Sequence, residues 1–140
     1  MAEFKHVSGD ALQSLNLLAE LVYGALELAG LPAHLQPKDL SISGAEIDID
    51  TGDDAGSGVY VFWHPHPAVA DAAADRIQRG QFSDPVIKRS GTISLYMKDA
   101  IINILTSAGF EVEESRDDLR PFTVRVIAGP PSMLGSQLET

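Results

Sequence analysis

Cysteine is absent from all 140 residues, which excludes disulfide staples, thiol catalysis and zinc sites of the cysteine type. Long apolar runs are also missing: Leu17-Leu18-Ala19 is broken by Glu20 and Ile101-Ile102 by Asn103, far short of the about 20 residues that a spanning helix needs. No membrane association is expected. The opening residues MAEFKHVSGD hold no basic start followed by an apolar core, so a cytoplasmic location is expected. Bases are half as numerous as acids, ten against 20, for a net charge of −10. Such a surplus repels phosphate backbones, and nucleic acid is not an expected partner. No segment repeats with a period of 20–50 residues and no low-complexity tract marks a linker.

What is present suits one globular unit. Hydrophobic content of 44% and charged content of 21% are ordinary for such a domain, and 140 residues are enough to bury a sizeable core without staples. A single domain over residues 1–140 is expected, with flexible ends at 1–7 and 129–140. The ending GPPSMLGSQLET joins a Gly-Pro-Pro breaker to small polar residues.

The apolar spacing predicts a helix over 11–29, with Leu12, Leu15, Leu18, Ala19, Val22 and Leu26 on its wide face. Ser8 or Asp10 can cap its start, and Gly30 and Pro32 end it. Leu17, Leu21 and Leu28 widen the apolar surface, which suits either a core position or a homodimer formed through this helix.

From Ile42 the period changes to two. Ala45, Ile47 and Ile49 alternate with Glu46, Asp48 and Asp50, predicting a half-exposed strand. Thr51–Gly58 has turn composition, and Val59–His64 is rich in β-branched and aromatic residues, completing a hairpin. Pro67 fits the first position of a second helix closed by Gly80, and Asp84-Pro85 repeats the cap-and-proline start. A stronger helix is expected after Ser90-Gly91, with Ile93, Met97, Ile101, Ile104 and Leu105 buried. Phe110–Glu114 and Phe122–Ile127 form a second hairpin about the turn Ser115–Asp118.

The order is α-ββ-αα-ββ. It predicts an α+β two-layer sandwich in which a mainly antiparallel, four-stranded sheet is covered by helices. If the valines and isoleucines of the strands face the helices, Glu46, Asp48, Asp50, Glu111 and Glu113 face outward, and so do Tyr60 and Phe62 when Trp63 is core. Exposed aromatics among carboxylates suit docking of a basic protein partner.

Three other constellations stand out. His64 and His66 are two apart and could share a metal, but a third ligand would have to come through folding. Lys88-Arg89-Ser90-Gly91-Thr92 leads into the stronger helix and could hold an anion at its N-terminus, although the Walker order is absent. Asp48–Asp54 alternates carboxylates but fails calcium-loop spacing, with Gly52 at the fifth place and Val59 at the twelfth. No Gly-x-Ser-x-Gly elbow occurs; Asp71 and Asp75, four apart on one helical face, could serve as an acid–base pair, but Asp75 with Arg79 is as readily a surface pair. No cofactor is expected and no convergent catalytic set is found. The composition therefore favours a non-enzymatic interaction module of adaptor, chaperone-like or immunity type over two alternatives. These are a small-ligand or metal-dependent protein built on the histidines or the Lys-Arg turn, and a structural subunit of a larger assembly.

Overall fold

The computed structural model describes residues 9–39, 42–52, 57–116 and 119–131. The chain runs α1 (Gly9–Leu28), β1 (Ala33–Leu35), β2 (Gly44–Asp50), β3 (Gly58–His64), α2 (Pro67–Gln78), α3 (Pro85–Ser107), β4 (Glu111–Glu114) and β5 (Thr123–Ala128). This is the expected α+β class, but the sheet is mixed and has five strands in the order β1-β2-β3-β5-β4. The added strand, β1, pairs parallel with β2 through Ala33↔Ala45 to Leu35↔Ile47. Its three residues lie between Pro32 and Pro37, too short a run for any period to register.

α1 forms much as its apolar spacing requires. Ala19, Val22 and Leu26 are buried, and Leu15, Leu18 and Leu21 pack beside them. It ends in a left-handed Gly30, φ +90°, with the amide of Leu31 donating to Leu26 O at 3.0 Å, the six-to-one closure that glycine permits. The Ser8 cap and the tail 132–140 lie outside the described residues, as do Asp53, Asp54, Asp117 and Asp118 of the expected turns. Within the end 129–140, Pro130 is buried and packs on Gly109, where an added Cβ would sit 3.0 Å from it.

The β2–β3 hairpin is paired antiparallel from Gly44↔His64 to Asp50↔Gly58. β3 then pairs with β5, and β5 with β4. Ala45, Ile47, Val59, Val61, Val124 and Val126 are fully or almost fully buried against α1 and α3, together with Ile101 and Leu105. Among the described residues, a single charged side chain is buried with them on the helical side. Lys98 of α3 is 6% exposed and donates to Glu114 at 2.8 Å and to Asp99 at 2.9 Å. The Glu114 bond, opposed by burial and aided by Asp99, holds its amine above the usual lysine value.

α2 and α3 form a helical hairpin fastened by capping. His66 Nδ1 accepts from Ala68 N at 2.9 Å, and Asp84 Oδ1 accepts from Val86 N at 2.9 Å; each cap precedes a proline at the first helical turn. Arg76 reaches across the turn to Asp84 at 3.0 Å. α3 is continuous through Ser90-Gly91. A single glycine within a helix costs about 1 kcal/mol, less than the burial of the face carrying Ser94, Lys98, Ile101 and Leu105 returns.

Gly44 fixes where β2 starts. Its φ is +119°, and an added Cβ would lie 2.9 Å from Pro32 O and 3.2 Å from His34 Nε2. The same Pro32 oxygen accepts from Ala45 N at 2.9 Å, tying β2 to the chain leading into β1. Left-handed strain and backbone collision therefore add. Gly44→Ala is expected to lower stability by about 2 kcal/mol or more, read as a fall in the urea midpoint; an unchanged midpoint would contradict this account of the junction.

Candidate functional site

The period of two in GAEIDID and GVYVFWH gives each strand one face beneath the helices and one away from them. On the second face the register sets Asp48 opposite Tyr60 and Glu46 opposite Phe62. Five of the seven residues expected to bind a partner, Glu46, Asp48, Asp50, Tyr60 and Phe62, line one open cavity of about 570 Å³. Glu111 and Glu113 do not reach it: they sit on β4, beyond β5, with Glu113 3.9 Å from Arg125.

Residues 119–123 form the far wall, through Leu119, Arg120, Pro121 and Thr123. Arg120 was not among the expected site residues, although a base beside Pro121 and next to an acidic strand was the available signal. Its guanidinium lies 4.0 Å from the centre of the Tyr60 ring and donates to Asp50 at 2.8 Å. This corrects the expectation of exposed aromatics: Tyr60 is 6% exposed, and Phe62 is half-buried with its ring 4.9 Å from that of His64, edge to face.

The carboxylates are handled unequally. His64 Nε2 is bonded to Glu46 at 2.5 Å. Burial works against ionising Glu46, but the hydrogen bond from Asp48 and the contact with His64 outweigh it and hold Glu46 below its usual value. Asp48 is pushed up to about 7, first by burial and then by hydrogen bonding to, and repulsion from, Glu46; Arg120 pulls the other way. The neighbouring acids thus divide their charge, with Glu46 ionised and Asp48 retaining a proton near neutrality.

The remaining expected sites come apart. His66 spends Nδ1 on capping α2 while His64 is turned to Glu46, and no group of three or more histidines and carboxylates among the described residues is placed to hold a metal ion. Lys88, Arg89, Ser90, Gly91 and Thr92 lie inside α3, whose N-terminus is at Pro85. Their backbone amides belong to the helix ladder and cannot form an anion-binding end. Asp75 is ion-paired with Arg76 and Arg79, as a surface pair would be. A second cleft, about 390 Å³ and mainly apolar, runs between α1 and the end of β5, beside Leu17, Leu18, Leu21 and Pro130.

No family model matches the chain, no curated protein matches it, and no solved structure matches it. A volume near 570 Å³ falls within the range of about 300–1,000 Å³ that ligand-holding sites occupy. Apart from the cavity's aromatic floor, its polar lining is acidic except for Thr51, Arg120 and Thr123.

Asp48 also leaves a mark on stability. Because its folded value is raised, the native state binds more protons than the unfolded chain between about pH 4 and pH 7, so stability falls as pH rises through that window. Asp48→Asn should remove this dependence and, after allowance for solvent screening, raise stability at pH 8 by about 1 kcal/mol. Chemical denaturation at pH 5 and pH 8 measures both effects; a wild-type protein more stable at pH 8 than at pH 5, with the variant unchanged, would reverse the assignment.

Proposed function

We propose that this protein is a small acidic interaction module, without catalytic activity of its own, which receives a cationic side chain of a protein partner on the open face of the sheet. The observation that carries the reading is the cavity over β2 and β3, where Glu46, Asp48 and Asp50 stand in one row beside Tyr60 and Phe62 of the neighbouring strand. An incoming lysine or arginine would find carboxylates for its charge and a ring for its stem. The net charge of −10 would speed its approach. Its arrival would favour ionisation of Asp48, so binding would release a proton and tighten as pH rises through about 7.

An arginine-rich peptide titrated into labelled protein should shift the amides of 45–50 and 59–63, with affinity falling steeply as salt is added. A glutamate-rich peptide of equal length should shift none of them. Glu46→Gln with Asp48→Asn should weaken the basic peptide about tenfold. Equal response to both peptides, or shifts confined to α2 and α3, would set the reading aside.

Self-association through α1 is a separate proposal. Leu17 and Leu28 are 58% and 92% exposed, and Leu17 flanks the apolar cleft at the end of β5. Sedimentation at twice the chain mass, lost on Leu17→Glu, is the expected result; a single-chain mass at high protein concentration would dismiss it.

A further inference from the structure

The wall of the cavity supplies an arginine of its own. Arg120 stacks on Tyr60 at 4.0 Å and is bonded to Asp50 at 2.8 Å, the two contacts that a guanidinium from outside would make on this floor. Around it, Leu119 is 89% exposed and Pro121 is exposed. Phe122 occupies the left-handed region, φ +57°, where a side chain is disfavoured. Beyond it the chain regains the sheet, with Thr123 paired to Phe62 and Ser115 N donating to Thr123 O at 2.7 Å. The turn is thus fixed to the sheet at its two ends, and between them Arg120 reaches onto the aromatic floor.

We propose that Arg120 is an internal occupant of the arginine-reading site formed by Tyr60 and Asp50, and that a partner's arginine binds by displacing it. This rests on the sheet-face reading and names both its preferred side chain and its built-in competitor. Arginine is selected over lysine because the Tyr60 face and the Asp50 carboxylate suit a planar, multiply donating group. Lysine offers only a point charge there. The contact is self-limiting: a lone cation gains little over Arg120, whereas an arginine carried on a longer segment adds contacts that Arg120 lacks, so the closed state screens out weak or non-specific cations.

The apparent dissociation constant equals the intrinsic one divided by the fraction of molecules whose site is open. With Arg120 seated in about nine molecules of ten, its removal should tighten binding about tenfold. Arg120→Ala and Arg120→Gln in the full chain are titrated by calorimetry with an acetylated, amidated peptide of arginine and glycine, and with its lysine counterpart. Circular dichroism of each variant checks the fold. The expected result is about tenfold tighter arginine-peptide binding in both variants, lost again when Asp50→Asn is added, with lysine peptide gaining less. If the wild type binds the peptide and neither variant binds it more tightly, Arg120 is not the competitor, although the sheet face still reads cations. If wild type and both folded variants fail to bind it, this proposal and the sheet-face reading fall together.

Discussion

The pairing register of β2 with β3 is the constraint on which the other features depend. Seven pairs, from Gly44↔His64 to Asp50↔Gly58, fix which side of each residue meets the helices. A slip of β2 by one residue would turn Glu46, Asp48 and Asp50 toward the helices and send Ala45, Ile47 and Ile49 to the open face. The alternation in both strands therefore enforces the core and the acidic cavity together. Gly44 and the Pro32 oxygen hold the first pair, so the register is set where β2 meets the chain before β1.

Charge is treated differently on the two sides of this sheet. Beneath the helices the buried cation Lys98 is satisfied by Glu114 and Asp99 and joins α3 to β4 as a paired charge. On the open side three acids share a strand face, and each is eased in its own way. Glu46 takes His64, Asp50 takes Arg120, and Asp48 keeps its proton. The second arrangement leaves attraction for a cation in reserve, because a further positive charge beside Asp48 would favour the loss of its proton.

Strong periodicity made most of the fold legible. α1, both hairpins, and the caps at His66 and Asp84 follow from residue spacing and turn chemistry, and so does the gathering of Glu46, Asp48, Asp50, Tyr60 and Phe62 on one face. Three features were not legible, each for a physical reason. β1 is held by parallel pairing to a distant strand and has too few residues for a pattern. Ser90-Gly91 reads as a break, yet tertiary burial of Ser94 and Lys98 carries α3 through it. Arg120 meets Asp50 across a separation of 70 residues, a contact that only the insertion of β5 beside β3 creates. The same insertion covers Tyr60, which alternation alone would leave exposed.

That insertion also governs the order of assembly. β3 ends at His64, but its neighbour β5 begins only at Thr123, and β5 separates β3 from β4. On a chain growing from its N-terminus, α1 and the first three strands can meet early, while the edge carrying Val59 and Val61 waits for Val124 and Val126. Closure of the sheet is thus a late, non-local event and sets a slow limit on folding. Until it occurs, the β3 edge is the surface most open to wrong pairing between nascent chains.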